Sequence, residues 1–438
     1  MSGRAIKAGV AVRVAAANAI QAVVDGRSLD AALNEIALES VEDVGLLREL
    51  TYGSLRQWPR LEGIVDQLLT KPLRRKDRLV RTLVILGLYQ LSGMRVPAHA
   101  AIDTTVEAAS ALKKRPFKGL VNALLRRYQR EAQALESGLS EAQVAAHPKW
   151  LYDALRTHYP EQLEQLCRAN NARPPMCLRV NLSKCSRDKY QSLLQEQGTG
   201  SQLGDYAPSA LTLNESLDVA MLPGFEAGLC SVQDEAAQLA AKLLAPRAGE
   251  RVLDACAAPG GKAAHCLELS PDTDLVVSDI SEHRMERVKE NLDRLGLRAT
   301  QLTGDAANPD HRLAEQAPFD AIMLDAPCSA SGVIRRHPDV KLLRRPDDIA
   351  QFAKQQLALL RGLWPLLASE GRLLYITCSI LPPENEQIVE RFLASEASAW
   401  EQEIKIPGAL RRCVGGQLLP CEDGTDGLYY CMLRKREA

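Results

Sequence analysis

Three textures of apolar and polar positions succeed one another along the chain. From residue 1 to about 142 apolar residues recur at three- and four-residue steps among abundant Ala, Leu, Arg and Glu. Leu79, Leu83 and Leu86 form one such stripe, Val80, Val84 and Leu88 a second, and Ile102, Val106 and Ala109 a third. The spacing predicts an all-α bundle over 1–142. Between about 143 and 228 the pattern is broken by Pro148, Pro160 and the Pro174-Pro175 pair, and a strand-like run at 176–180 ends at Asn181. These features predict a small α+β linker domain over 143–228.

From 229 to 438 short runs rich in Val, Leu and Ile alternate with helical stretches. The runs 251–256, 274–280, 299–303, 320–324 and 372–376 read as buried strands, and Met285, Val288, Leu292 and Leu295 mark one helical face that Gly296 closes. Strand–helix alternation predicts a parallel sheet covered on both faces. The runs 417–419 and 428–433, around Gly424 and Gly427, predict a terminal antiparallel hairpin.

Composition narrows the class. At 438 residues, 46% hydrophobic, the chain is long enough for roughly two to four domains, each with its own core, which excludes disordered and fibrous classes. The opening residues lack the plan of a secretory signal, and the longest apolar run, 83–91, is far below the roughly 18 residues a membrane span needs. A cytoplasmic protein away from membranes is expected. The eleven cysteines, an odd number with none two residues apart, fit neither a zinc ribbon nor a disulfide framework. The seven histidines form no ligand-spaced pair, so no metal is expected.

The formal net charge of −1 hides an asymmetry. Between Lys71 and Arg130 fourteen basic side chains face only Asp77, Asp103 and Glu107, a net +11 that suits an anionic polymer, although a solvated helical face reads the same way.

Candidate chemistry gathers at the ends of the later strands. The first runs into Ala257-Ala258-Pro259-Gly260-Gly261-Lys262 and then a helix, the place where nucleotide-like ligands approach the backbone of a doubly wound sheet. It is not a phosphate-gripping loop, since Cys256 stands where the first glycine is needed and Ala263 where Ser or Thr is needed. A plain tight turn is the alternative. Asp279, Asp305 and Asp325 close three successive strands; each alone suits a helix cap or turn, but together they would converge on one crevice. Cys328 follows the fourth strand in Asp325-Ala326-Pro327-Cys328-Ser329, and Cys378 follows the fifth in Thr377-Cys378-Ser379. Thiols at strand ends are exposed nucleophile candidates, whereas a packed structural thiol usually points inward from mid-strand.

These motifs, in this order, resemble the S-adenosylmethionine-dependent RNA cytosine-5 methyltransferases over roughly 176–433. The quoted Asp254-Ala255-Cys256 lead into the glycine loop, the Asp325 and Thr377 runs, and Gln233-Asp234-Glu235-Ala236 ahead of the sheet all match. Residues 1–142 resemble the RNA-binding antitermination factor NusB, though less distinctively. The resemblance implies a Rossmann-like catalytic domain and methylation of carbon 5 of one cytosine of 16S rRNA, the family's target being cytosine 967. It implies that Cys256, Ala257, Ala258, Pro259, Gly260, Gly261, Lys262, Asp279, Asp305 and Asp325 contact S-adenosyl-L-methionine, with Cys378 as nucleophile, Cys328 as assisting thiol and Asp325 at the base's ring nitrogen 3.

Similar DNA enzymes take their nucleophile from the Pro-Cys motif, here Cys328; the absence of a large target-recognition insert favours Cys378. The basic 71–130 stretch and Arg179 are candidates for RNA backbone contacts. The expected partner is 16S rRNA, naked or in an early small-subunit particle, with the protein a monomer. Two other readings stand: a non-catalytic RNA-binding assembly factor, which would need neither thiol, and transfer to an exocyclic amine, which would expect an aromatic tetrad where Asp325-Ala326-Pro327-Cys328 lies.

Overall fold

The computed structural model describes residues 9–36, 41 and 43–437; the helical reading of residues 1–8, 37–40 and 42 lies outside them. The chain divides into two compact units, Met1–Ala172 with Ile334–Pro346, and Arg173–Val333 with Asp347–Ala438.

The first unit is helical: α1 (Val10–Val24), α2 (Leu29–Asn34), α3 (Val44–Arg56), α4 (Trp58–Leu68), α5 (Arg78–Gly93), α6 (Ala98–Ala111), α7 (Lys118–Ser137), α8 (Glu141–Val144), α9 (Lys149–His158) and α10 (Leu163–Asn171). Helix α5 is central, packed against α1, α3, α4, α6 and α7. That position explains its two apolar stripes, both of which reach the core. The deeply buried amide of Gln90 is paired on both sides, accepting from Arg13 Nε (2.9 Å) and donating to Thr105 Oγ1 (3.1 Å).

The second unit begins with β1 (Cys177–Val180), α11 (Arg187–Glu196), β2 (Ser201–Leu203), β3 (Ala210–Leu213) and β4 (Cys230–Val232), an antiparallel sheet in the order β2-β3-β1-β4. There follow α12 (Glu235–Leu244), β5 (Arg251–Asp254), α13 (Gly261–Leu269), β6 (Asp274–Asp279), α14 (Glu282–Leu295), β7 (Thr300–Thr303), α15 (His311–Ala314) and β8 (Phe319–Asp325). After β8 come α16 (Val340–Leu343), α17 (Pro346–Leu363), β9 (Leu367–Thr377), α18 (Glu386–Ser395), β10 (Ala399–Gln402), β11 (Leu410–Arg411), β12 (Gly416–Gln417) and β13 (Tyr429–Lys435).

The large sheet is ordered β11-β12-β13-β9-β8-β5-β6-β7, with β10 beside β13. Strands β5 to β9 are parallel and β13 is antiparallel to β9, so the sheet is mixed, with the expected hairpin pairing β12 to β13. Alternate residues feed opposite faces. Val252, Ala321, Met323 and Leu374 join one core with α12, α13 and α14, while Leu253, Ile322, Leu324 and Leu373 join the other with α17 and α18. Strands buried on both faces are therefore apolar throughout, as their sequences read.

Helix α14 shows how local sequence sets these boundaries. Ser281 Oγ accepts from the Arg284 N–H at its start, Gly296 ends it at φ 72°, and its buried residues are Met285, Val288, Leu292 and Leu295. Chain order reverses at β5, which has β6 on one side and β8 on the other. A crevice opens at the carboxyl ends of such neighbours.

The segment Ile334–Pro346 interrupts the second unit in chain order yet belongs to the helical one. Within that unit Lys341 is buried, and its Nζ donates to Arg56 O and Ala146 O, both at 2.9 Å, and to Asn171 Oδ1. Burial pushes its amine down to about 7.

No helix among the described residues is long and apolar enough to cross a membrane.

Candidate active site

The cavity at the β5–β8 switch has a volume of about 200 Å³, and it gathers side chains from five strand ends. Cys256 and Ala258 come from the loop after β5, Asp279 and Ile280 from the end of β6, and Asp305 from the turn after β7. Asp325 and Cys328 come from the end of β8 and Cys378 from the end of β9.

The loop owes its shape to one backbone position. Gly260 has φ 96°, and a Cβ there would lie 3.2 Å from Val288 Cα of α14, so the tight turn into α13 needs glycine. The Ala258 N–H donates to Asp279 Oδ2 (3.3 Å), the Asn291 side-chain amide donates to Pro259 O (2.8 Å), and Arg284 donates to Ala258 O (3.1 Å). Asp279 is almost fully buried and also accepts from the Ser281 N–H (3.1 Å) and Arg284 Nη1 (3.3 Å). Asp305 accepts from the Ala307 N–H and Asn308 Nδ2, both at 2.9 Å. The turn-capping reading of these acids is thus correct locally, and it coexists with their place on the cavity wall.

The residues fit a nucleoside-bearing cofactor. Carboxylates at successive strand ends offer acceptors for hydroxyl and amine donors, and Ile280, 68% exposed beside them, offers an apolar wall to a flat ring. Ala257, Pro259, Gly260 and Gly261 shape the loop rather than line the cavity. Lys262 reaches further than its place in the loop suggests, since its Nζ donates to Asp325 Oδ2 at 2.6 Å. Burial opposes charge on that amine, but Asp325, with Cys378 and Asp254 nearby, outweighs it and raises the pKa.

Beneath this pair lies Asp254, the last residue of β5, quoted in the sequence motif without a role. It is buried, and neither carboxyl oxygen has a hydrogen-bond partner among the described residues. Burial, reinforced by the charge of Asp325, pushes its pKa up to about 8. Arg284, Gln355 and Leu359 also reach the cavity. They follow no short motif, and only α-helical spacing from a known strand end could have pointed to them.

The two thiols meet: Cys328 Sγ and Cys378 Sγ are 3.3 Å apart. They differ in environment. Cys378 is partly exposed, whereas Cys328 is buried, which corrects the expectation of two exposed thiols. The hydrogen bond with Cys378, then burial, then the charges of Cys378 and Glu384 push the Cys328 thiol well up. The Cys256 thiol is raised by burial and the three neighbouring aspartates, which makes it an inert wall.

Arg179 also requires correction. Expected to touch RNA, it is 1% exposed and forms a two-pronged pair with Glu268 of α13 (2.9 and 2.8 Å). Its Nη1 donates to Gln233 Oε1 (2.6 Å) and Gly261 O (2.7 Å), so it braces the glycine loop instead. The basic stretch is a better surface: Lys71, Arg74, Arg75, Lys76, Arg78, Arg95, Lys113, Arg115, Arg126 and Arg130 are exposed. Arg81, Lys114, Lys118 and Arg127 are half-buried in ion pairs. Among the described residues no group of three or more His, Cys, Asp or Glu side chains could hold a metal ion.

Comparison with known proteins gives the family of each part of the chain. Residues 241–434 match the family described as 16S rRNA methyltransferase RsmB/F, residues 147–220 match the ferredoxin-like domain of RsmF/B-like methyltransferases, and residues 10–130 match the NusB family. The chain is 45% identical to Ribosomal RNA small subunit methyltransferase B of Photorhabdus laumondii over 429 residues, 97% of this chain and 99% of that one. It is 48% identical to the protein of the same name from Vibrio vulnificus over 430 residues, again 97% and 99%. The crystal structure of PH0851 shares the fold, with a TM-score of 0.80 at 23% identity over 97% of this chain and 99% of that one. The structure of NSun6 from Pyrococcus horikoshii with SFG gives a TM-score of 0.59 at 21% identity over 66% and 99%. A NusB-like helical domain, a ferredoxin-like domain and a Rossmann-like catalytic sheet are thus joined in one chain, which belongs to the RsmB/F family of S-adenosylmethionine-dependent RNA methyltransferases.

Proposed function

We propose that this protein methylates carbon 5 of a single cytosine in 16S rRNA, the family's cytosine 967, through a covalent cysteine–cytosine adduct. The observation that carries the reading is the pair of thiols 3.3 Å apart beside the Lys262–Asp325 ion pair. Transfer to an exocyclic amine needs neither thiol, and a non-catalytic RNA binder needs neither the thiols nor the cavity.

Carbon 5 of cytosine is a weak nucleophile, so a thiolate first adds to carbon 6. Cys378, the more exposed sulfur, forms that bond, and the displaced π electrons move toward ring nitrogen 3. The Lys262–Asp325 pair, in which the Lys262 amine donates to Asp325 Oδ2, meets that developing charge. The addition makes carbon 5 enamine-like and nucleophilic; S-adenosylmethionine, which the cavity residues Cys256, Asp279 and Asp305 would hold, would supply an electrophilic sulfonium methyl for it. A solvent base, a water or hydroxide in the open cavity, takes the carbon 5 proton; the electrons of that C–H bond re-form the carbon 5–carbon 6 double bond, and Cys378 leaves carbon 6 as a thiolate. Cys328, held protonated by its surroundings and 3.3 Å from Cys378, assists that release by donating a hydrogen bond to the departing thiolate.

In this reading Cys256, Ala258, Asp279, Asp305 and Asp325 contact the cofactor, while Ala257, Pro259, Gly260 and Gly261 shape the loop that seats it and Lys262 pairs with Asp325. The base must leave its stack to reach Cys378, which suits an unpaired ribosomal loop, and the exposed basic residues between Lys71 and Arg130 are the candidates for contacts with RNA backbone phosphates. The test is methyl transfer from labelled S-adenosylmethionine to unmodified 16S rRNA, followed by nucleoside analysis. The label is expected in 5-methylcytidine at one position; label in N4-methylcytidine, or none, would contradict the reading.

A further inference from the structure

A buried polar cluster adjoins the two thiol-bearing loops, and one carboxylate organises it. Glu384, in the turn Pro382–Glu384 after β9, is fully buried. Its Oε1 accepts from the backbone N–H of Ser329 (2.7 Å), and its Oε2 accepts from the hydroxyls of Ser329 and Ser379, both at 2.6 Å. Ser329 follows Cys328 and Ser379 follows Cys378, so one side chain grips both thiol-bearing loops one residue beyond each sulfur.

The rest of the cluster completes the proton count. Ser331 Oγ lies 3.0 Å from Ser379 Oγ and accepts from the Ile380 N–H (3.0 Å), while Ser379 Oγ accepts from the Leu381 N–H (3.0 Å). Among Glu384 and the three serines, only an ionised carboxylate accepts without donating. Burial raises the Glu384 pKa, and the donors from Ser329 and Ser379 work against that shift. The backbone that carries this carboxylate is itself anchored, since Tyr375 OH of β9 donates to the Glu384 carbonyl oxygen (2.7 Å). Gln356 Nε2 of α17 donates to Pro327 O (2.9 Å), which fixes the Cys328 loop from its other side.

We propose that Glu384 is the positioning residue of the thiol pair: by accepting from Ser329 and Ser379 at once, its carboxylate sets the distance between Cys328 and Cys378. The consequence for catalysis rests on the two-thiol reading above, because only there must the second sulfur act on an adduct held by the first. The structural claim does not depend on that reading.

The experiment uses the full-length protein and a readout that needs neither RNA nor cofactor. Diamide takes one hydrogen from each of two thiols, joining them as a disulfide while it is reduced to the hydrazine. Mass spectrometry of the Cys328–Cys378 peptide pair then gives the rate of joining. Glu384→Gln keeps the shape but replaces one acceptor with a donor. It is expected to slow the joining about tenfold and to lower kcat by about 10- to 100-fold, with KM for S-adenosylmethionine within twofold. Glu384→Asp, which keeps the charge on a shorter stem, is expected to recover part of both. Should Glu384→Gln fail to fold, Ser329→Ala and Ser379→Ala each remove one donor, and each is expected to slow the joining severalfold.

A folded Glu384→Gln protein that joins its thiols at the wild-type rate overturns the proposal, as does unchanged joining in both serine variants. Retained methylation in Cys378→Ala would contradict the two-thiol chemistry and leave the joining result to decide the role of Glu384 by itself.

Discussion

Cys328 and Cys378 lie fifty positions apart in the chain, yet their sulfurs sit 3.3 Å from each other, because β8 and β9 are parallel neighbours whose carboxyl ends point the same way. Asp325 pairs with Ile376 in the register, so the residues just beyond each strand turn into the same cavity. Adjacency places the sulfurs together, and burial makes them unequal. The more exposed thiol suits addition to the base, while the buried one, pushed up by its contact with Cys378, by burial and by the Glu384 charge, suits the protonated role.

Arg179 and Glu268 are both buried, and removing one partner of such a pair strands the other's charge. Arg179→Met is expected to destabilise the catalytic unit by about 3–5 kcal/mol in denaturant unfolding. The salt dependence of RNA binding by the folded variant should match wild type. A shallower salt slope with unchanged stability would return Arg179 to the RNA surface.

Asp254 gives stability a pH dependence. Its folded pKa of about 8 lies above the ordinary 3.8, so folding favours the protonated carboxyl. The wild-type protein keeps this contribution at acid pH and loses it as pH rises from about 4 toward 8. Asp254→Asn, which cannot ionise, should therefore gain on wild type across that window by up to about 1.4 kcal/mol per pH unit. Urea unfolding of both proteins at pH 5, 6, 7 and 8 measures the difference; a flat difference would show that Asp254 ionises freely.

Local pattern makes much of this fold legible. The stripe from Met285 to Leu295 and its closing Gly296 belong to one helix, and Asp279 and Asp325 end strands whose apolar runs announce themselves. Arg179 escapes such reading because its fate depends on Glu268, 89 residues away, and a strand arginine looks the same whether it meets a phosphate or a buried carboxylate. The grip of Glu384 on Ser329 spans 55 residues and is invisible in the sequence for the same reason. So is the membership of Ile334–Pro346 in the helical unit, which turns on the burial of Lys341 among carbonyls from α3 and the turn after α8.

The exposed cations predict how RNA affinity responds to salt. Replacing Arg74, Arg75, Lys113 and Arg115 with alanine is expected to weaken binding at every salt concentration. It should also reduce the slope of log K against log salt by about 0.7–0.9 for each phosphate no longer neutralised. Filter binding between 50 and 200 mM salt, roughly the range over which such ion pairs respond, checks it. An unchanged slope would mean that this face is only solvated.

The most direct test of the account is to look for the covalent intermediate. Wild type, Cys378→Ala and Cys328→Ala are each incubated with unmodified 16S rRNA and labelled S-adenosylmethionine, and protein–RNA adducts are resolved on a denaturing gel. The account predicts methyl transfer by wild type, neither transfer nor adduct in Cys378→Ala, and a trapped adduct in Cys328→Ala. Methylation surviving in Cys378→Ala, with no adduct in Cys328→Ala, would contradict it and assign the nucleophile to Cys328.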